Sequence, residues 1–346
     1  MSEFSKNQYN LLCSSRLNQL KPVIKEQLTQ EQKKIYKESI TGLDKHSEIC
    51  CIGQIFISAE KPTIFDEINK KDYNFNFNNY RKKELKFSLE DADGKARIIF
   101  ENEPFLVTGQ VIGVEGRVET GVIYVKNIIY PGNEYLKNTK KYFDGETVMF
   151  ASNVTAINEL ELLLDTLDEQ KVVKLIIVGI QKSEYEKLRK IFKRISRIQV
   201  FLIPEDLNVV RCLPFCPYTD IGLKMNLLPN PAVIENILFV PRIVLNDLLK
   251  YHPKQEEDFS PEKYTDAAEI LLKSRHCCPT APDTIKCTPF DEDPFVLDPD
   301  INCIVVSGDE FLHEERNNMH FLQLPDFSKT SKSVLLVNNL FKIVNY

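Results

Sequence analysis

Apolar residues in this chain change period twice, and each change marks a different kind of structure. Between Phe4 and Ile24 they recur at helical spacing through Tyr9, Leu12, Cys13, Leu17 and Leu20, until Pro22, where a helix is expected to stop or kink. Thr29 then opens a second short helix, since its hydroxyl can cap the first turn while Gln32 reaches back to complete a capping box. From 48 to 130 the period becomes that of strands, with β-branched runs at 49–57, 96–100, 107–118 and 122–129. Turn pairs Asp93-Gly94 and Thr120-Gly121 separate them, and Gly109, Gly113 and Gly116 stand where a strand must bend. Short, bent, hairpin-linked strands of this kind predict a small OB-like barrel.

A polar stretch at 131–141 ends the strand period, and strands and helices then alternate. Residues 148–151, 172–178 and 198–203 read as buried strands. Between them lie one helix marked by Ile157, Leu160, Leu164 and Leu167, and another marked by Leu188, Ile191, Phe192 and Ile195, capped by Ser183 with Glu186. This is an α/β core. After an irregular, proline-rich stretch at 204–231, residues 237–240 return to a strand. Ser260 caps and Pro261 starts a helix striped by Tyr264, Ala267, Ala268, Leu271 and Leu272. Four further strands at 303–306, 320–324, 334–337 and 341–344, the last two joined by Asn338-Asn339, predict a second sheet that closes the domain. The expected class is thus two-domain, α+β with α/β. It has an N-terminal helical segment at 1–45, an OB-like domain at 46–130, a linker at 131–141 and a second domain at 142–346.

One segment obeys neither period. From Arg275 to Phe295, Pro279, Pro282, Pro289 and Pro294 each remove a backbone donor, with Pro299 close behind, so neither a long helix nor a central strand fits. Yet Ile285, Phe290, Phe295, Cys277, Cys278 and Cys287 make it too apolar to stand in solvent. An ordered belt packed across a core is expected. His276 within it is expected to fix loop geometry through both ring nitrogens, beside Arg275 and Asp283, and Asp283 and Asp293 to form turns with their own backbone.

Composition narrows the class. At 346 residues the chain exceeds the usual size of a single core. No apolar run is long enough to span a bilayer, and the first residues do not read as a signal peptide, so a cytosolic or nuclear setting is expected. Nine cysteines, with Cys50-Cys51 and Cys277-Cys278 adjacent, form no disulfide framework and fit a reducing compartment. Cys212 and Cys216 are spaced as half of a zinc site, but nothing nearby completes it. A net charge of −6 argues against a surface devoted to tracking phosphates.

Arg275-His276, Pro279-Thr280-Ala281-Pro282-Asp283-Thr284, Cys287, Pro289-Phe290 and Asp293-Pro294-Phe295 resemble the signature of the DNA polymerase delta small-subunit family, the B-subunits of eukaryotic replicative polymerases. The resemblance continues through Leu324 and Pro325-Asp326-Phe327-Ser328 to Val334-Leu335-Leu336-Val337-Asn338, with further support at Arg16-Leu17, Pro22 and Cys50-Cys51-Ile52-Gly53. It implies an OB domain followed by a calcineurin-like phosphoesterase domain, and a non-catalytic accessory role in the nucleus. The implied partners are the C-terminal metal-binding domain of the polymerase delta catalytic subunit and a third, elongated subunit, with DNA reached only through the complex.

Active phosphoesterases of this fold hold two metals on carboxylates and imidazoles at strand ends. Here those positions read Ser152-Asn153, Gly179 with Gln181, Glu205-Asp206 and Gly308-Asp309, and no histidine stands at any of them. An inactive domain without catalytic residues, metal or cofactor is therefore expected, against the rival of a metal-dependent phosphodiesterase or exonuclease. A second rival is a stand-alone single-strand DNA-binding protein. It rests on Tyr73, Phe75, Phe77 and Tyr80, which alternate with asparagines between lysines and arginines at 69–83 as candidate weak DNA contacts. The favoured reading of that insert is a surface or partner-facing loop. The family pattern is departed from most around 225–251, where Leu238-Phe239-Val240-Pro241-Arg242 replaces a glycine-rich strand end.

Overall fold

The computed structural model describes residues 8–58, 80, 85–132, 142–154, 157–180, 197–204, 213–214, 225–253, 261–288 and 290–346. The chain forms two compact units. The first comprises Met1–Glu134, Val244–Ile285 and Pro289–Pro299, and the second Tyr135–Ile243, Lys286–Thr288 and Asp300–Tyr346. The expected uninterrupted domain over 142–346 is therefore broken, because the helical stretch after 243 and most of the belt belong to the first unit. Buried polar contacts hold them there, among them Gln110 Nε2 donating to Ser274 Oγ at 2.7 Å.

In the first unit, α1 (Gln8–Gln27) continues past Pro22 instead of stopping there. Pro22 and Asn18 are both exposed, so the carbonyl that loses its helical donor can be hydrated. The buried stripe of α1 presents Leu17, Leu20 and Ile24 to Cys50, Ile52, Val111 and Ile129 of the barrel. A short helix α2 (Gln30–Lys34) carries the expected capping box between Thr29 and Gln32.

Strands β1 (Glu48–Ser58), β2 (Lys86–Glu90), β3 (Lys95–Phe100), β4 (Val111–Glu119) and β5 (Val122–Ile129) close into a barrel in the order β1-β2-β3-β5-β4. Only the β3–β5 pair is parallel, which is the order expected of an OB-like barrel. Strand β2 escapes the pattern reading because Lys86, Ser88 and Glu90 face outward and leave only Phe87 and Leu89 inside. The expected strand from 107 begins only at Val111, since Gly109 has φ +88°. Gly116 takes a bulge against β5, and Thr120 and Gly121, at φ +48° and +80°, form the tight turn between β4 and β5.

The second unit has two sheets. Strands β6 (Val148–Ser152), β7 (Lys174–Ile180), β8 (Gln199–Pro204) and β9 (Met225–Leu227) are parallel, with α3 (Ile157–Glu169) connecting the first two. Strands β10 (Ala232–Ile234), β11 (Ile237–Phe239), β12 (Cys303–Ser307), β13 (Leu312–Arg316) and β14 (Met319–Leu324) form the second sheet, ordered β10-β11-β12-β14-β13. The last two strands, β15 (Lys332–Val337) and β16 (Leu340–Asn345), do not join that sheet as expected. They add to β6 and extend the first sheet to β16-β15-β6-β7-β8-β9. Pairing of this kind is set by long-range packing, which local periodicity does not encode. Their turn is as expected, with Asn338 and Asn339 at φ +50° and +65°.

The sheets pack face to face, with Phe150 of β6 lying 6.2 Å from Phe239 of β11 between ring centroids. The other face of the first sheet is covered by Leu163 and Leu167 of α3. Three more helices complete the described chain: α4 (Arg242–Leu249), which starts directly after Pro241 and was not anticipated, α5 (Pro261–Lys273) and α6 (Phe327–Thr330). The stripe of α5 is buried at Tyr264, Ala267, Ala268, Leu271 and Leu272. The expected helix at 183–195, the cap Ser260 and the pair Cys212 and Cys216 lie outside the described residues.

Candidate functional site

The signature residues of the belt converge on Arg16, in the middle of α1. Arg16 is fully buried, at 0% exposure. Its Nε donates to Asp293 Oδ2 at 2.7 Å, Nη1 to the carbonyls of Pro279 (2.7 Å) and Gly109 (3.0 Å), and Nη2 to the carbonyl of Ala281 (2.7 Å). One guanidinium thus joins helix, barrel and belt. Gly109 is required at this junction, because a Cβ there would overlap the Pro279 carbonyl oxygen and crowd Arg16 Nη1.

His276 uses both ring nitrogens, but its partners are not the expected Arg275 and Asp283. Nδ1 accepts from the Cys278 N–H at 3.1 Å, which leaves Nε2 to donate to Asp293 Oδ2 at 3.0 Å. Burial, and then the nearby Arg16 charge, lower its pKa from the ordinary 6.5 to about 4, so it is neutral at physiological pH. Burial alone would raise Asp293, but His276 and Arg16 outweigh it and hold the carboxyl far below its usual range. Its other oxygen accepts from the Phe295 N–H at 2.9 Å, the local turn expected of this residue.

The belt begins where α5 ends. Arg275 N–H bonds the Leu272 carbonyl and His276 N–H the Leu271 carbonyl, a Schellman ending with Arg275 rather than glycine at φ +48°. The Arg275 side chain donates to the Leu297 carbonyl, and Leu297 N–H returns to Arg275. Cys277 N–H likewise bonds the Phe295 carbonyl, so the two ends of the belt lie side by side. Phe295 is buried at 3%, whereas Phe290 is half-buried and meets it edge-on at 6.4 Å. Thr280 is fully buried and Thr284 donates to Asp247 on α4. Pro289 lies outside the described residues.

At the strand ends of the second unit, Ser152 Oγ donates to the Pro325 carbonyl at 2.8 Å, and Asn153 Nδ2 reaches Asp326 Oδ2 at 3.3 Å. Gly179 sits in β7 at φ +83°, and Gly308 N–H bonds the Leu324 carbonyl. Asp326 caps α6 and also accepts from Ser328 Oγ at 2.7 Å, while Phe327 is buried. Asp309 is held by Arg242 Nη1 at 2.9 Å and Lys329 Nζ at 3.0 Å, which together lower its pKa. Lys329 lies 3.5 Å from Asp326 as well. Each described carboxylate here therefore faces a cation of the chain itself. Gln181, Glu205 and Asp206 lie outside the described residues. Among the described residues no group of three histidines, cysteines or acids is arranged to hold a metal ion. The late histidines are elsewhere, with His313 Nε2 3.1 Å from His320 Nδ1 and the rings stacked.

Of the four aromatics proposed to contact DNA, Tyr73, Phe75 and Phe77 lie outside the described residues. Tyr80 is corrected. It is 6% exposed, its N–H bonds the Lys250 carbonyl and its ring meets Tyr251 edge-on at 4.9 Å, so it is not presented to a strand. Arg16 and Asp293 were not paired by sequence reasoning, although Arg16 stands between Leu12 and Leu20 on the apolar stripe, where a charge calls for a buried partner.

Residues 8–128 match the family model of the DNA polymerase delta subunit OB-fold domain. The DNA polymerase delta small subunit of Saccharomyces cerevisiae is 24% identical over 387 residues, covering 87% of this chain and 79% of that protein. The DNA polymerase delta small subunit of Arabidopsis thaliana is also 24% identical, over 75% of this chain and 71% of its own. Among solved structures, one of a Thermus thermophilus protein, TT1561, covers 58% of this chain and 98% of that chain at 9% identity, with a TM-score of 0.30, too low to bear on the fold. Family model, relatives and belt signature point the same way: this chain is similar to the DNA polymerase delta small subunits over most of its length, and its residues 8–128 match the DNA polymerase delta subunit OB-fold domain.

Proposed function

We propose that this chain is a non-catalytic accessory subunit of DNA polymerase delta, which stabilises the catalytic subunit and bridges it to further subunits in the nucleus. The observation that carries the reading is the joint one in the first unit. The OB-fold match and the signature belt are not two separate resemblances, because Arg16, inside the matched segment, bonds Asp293, Pro279 and Ala281 of the signature. The signature is thereby accounted for as architecture. His276 and Asp293 are buried and bonded to each other, with Asp293 also held by Arg16, as residues that hold a loop in shape would be.

For the second unit the reading is an inactive phosphoesterase-like domain. Its support is the set of parallel strands whose ends carry Ser152-Asn153, Gly179 and Gly308-Asp309, with Arg242 and Lys329 placed where metal chemistry would want open carboxylates. The partners in this reading are the C-terminal metal-binding domain of the catalytic subunit and a third, elongated subunit. Co-expression with the cognate catalytic subunit tests it: the two chains should co-elute in equal amounts. Separate elution of two well-folded proteins would sink the reading.

A further inference from the structure

The second unit carries a pair of histidines that the accessory-subunit reading does not use. His313 lies on β13 and His320 on β14, and the strand register brings them together. Antiparallel pairing sets His313 opposite Leu322 and Glu315 opposite His320, so all four side chains share one face of the sheet. His313 Nε2 stands 3.1 Å from His320 Nδ1. Two nitrogens bound to one zinc-like ion, each about 2.0–2.1 Å from it, stand about 2.9–3.4 Å apart, so the pair is already spaced as adjacent ligands. Phe341 meets the His313 ring at 5.0 Å between centroids and Tyr142 meets the His320 ring at 5.6 Å, contacts that hold both imidazoles in place.

A third ligand lies within reach. Glu315 is exposed and directly across from His320, and cross-strand partners have Cβ atoms about 4.5–5.5 Å apart. The adjacent Arg316 is taken by Glu314 at 3.9 Å, and Glu315 has no ion pair among the described residues. As the side chains stand only the two imidazoles converge, and the carboxylate has to turn to join them. Both histidines are half-buried, so water reaches the position. Burial lowers both pKa values, helped at His313 by His320, and each ring is therefore neutral at physiological pH, the form that binds metal. This place is separate from the strand ends described above. His320 pairs with Cys303, the first residue of β12, whereas Gly308-Asp309 follow its last residue, Ser307, roughly 13 Å further along.

We propose that His313, His320 and Glu315 bind one divalent transition-metal ion of the zinc, nickel and copper class. Imidazole nitrogens suit these ions, whereas magnesium and manganese prefer oxygen ligands. One proton lies between the two facing nitrogens, on whichever ring is the donor. Binding moves it to the far nitrogen of the same ring and leaves two lone pairs for the ion. With three protein ligands and its remaining positions open to water, the site takes up and releases its ion reversibly, unlike a closed four-ligand structural zinc site.

The test is calorimetric titration of the full chain with nickel(II) or zinc(II) at neutral pH, with magnesium and manganese as controls. One equivalent of nickel or zinc should bind saturably and neither control should. Affinity should fall as the pH drops through the imidazole range, where protons compete for both rings. His313→Gln and His320→Gln should each weaken binding at least about 10-fold, since losing even an outer-shell partner costs about 10- to 100-fold. Glu315→Gln should weaken it about 10-fold, and because that side chain is exposed an unchanged melting temperature without metal checks that the variant folds. Parental affinity in Glu315→Gln or in the double histidine variant, saturation only in millimolar metal, or loss of binding only on Cys212→Ser or Cys216→Ser would each overturn the proposal. None of these outcomes bears on co-elution with a catalytic subunit, so the two readings fail separately.

Discussion

Arg16 Nε lies 2.7 Å from Asp293 Oδ2 across 277 residues of sequence, and both side chains are wholly out of water. Such a pair is costly to bury and costlier to break, since removing one partner strands a charge in the interior. Arg16→Met is expected to destabilise the protein by about 3–5 kcal/mol, because it orphans both Asp293 and three carbonyls. Asp293→Asn should cost less, since the amide can still accept from Arg16. Urea unfolding of the two variants measures this, and equal, small losses would show that the contact is peripheral.

His276 makes the same junction sensitive to acid. Its folded pKa of about 4 lies below the ordinary 6.5, so between those values the unfolded chain binds the extra proton. Stability from this residue is thus complete above about pH 6.5, falls as pH drops towards 4, and does not fall further below. Asp293, shifted downward, loses its contribution only at still lower pH. His313 and His320 are also lowered, mainly by burial, and add the same sign of slope. His276→Gln, which retains a donor for Asp293, should therefore flatten the stability profile between pH 4 and 6.5 without abolishing it. An unchanged slope in that variant would mean the imidazole is not titrating there.

The two phenylalanines of the belt should separate in the same experiment. Phe295→Ala removes a buried ring and is expected to cost about 3–5 kcal/mol. Phe290 is half-buried and touches Phe295 by its edge, so Phe290→Ala should cost only about 1–2 kcal/mol. Equal losses would indicate that Phe290 is held more firmly than its exposure implies.

What the residues reveal in advance follows from how local each signal is. The turn at Thr120-Gly121, the turn at Asn338-Asn339 and the Thr29–Gln32 capping box depend on a few adjacent residues, and each is found as read. The α5 stripe is equally local. Strands β2 and β13 were missed because each is five residues long and neither is a clean apolar run. The attachment of β15 to β6, and the ending of α1 beyond Pro22, depend on what lies across the core and on which side faces water. The belt was legible as packed and irregular from its prolines and aromatics. Its partner was not, because nothing local to Asp293 or His276 points to residue 16.

At the strand ends of the second unit, Asp309, Arg242 and Lys329 are partly or largely exposed, so their ion pairs should add little to stability. Arg242→Ala is expected to shift it by no more than about 1 kcal/mol, and Lys329→Ala to leave it unchanged. Since these cations already face the described carboxylates, adding manganese or a chelator should leave the melting temperature unchanged. Hydrolysis of a model phosphodiester in manganese, abolished by Asp309→Ala, would overturn the inactive reading.

The insert at 69–83 gives the last expectation, because its one described aromatic is not where a DNA-binding loop would want it. Tyr80 is buried beneath Lys250, whose Nζ stands 5.5 Å from the ring centroid, and against Tyr251. Its N–H is bonded to the Lys250 carbonyl at 2.7 Å. Burial of this kind makes Tyr80 an anchor, and Tyr80→Ala is expected to cost about 2–4 kcal/mol by leaving a cavity beside Tyr251. The triple replacement of Tyr73, Phe75 and Phe77 by Ala should leave both stability and oligothymidylate affinity near the parental values. Thermal melts and anisotropy on the two variants separate the roles. Loss of DNA affinity in the triple variant, with stability unchanged in Tyr80→Ala, would return the insert to direct contact with a single strand.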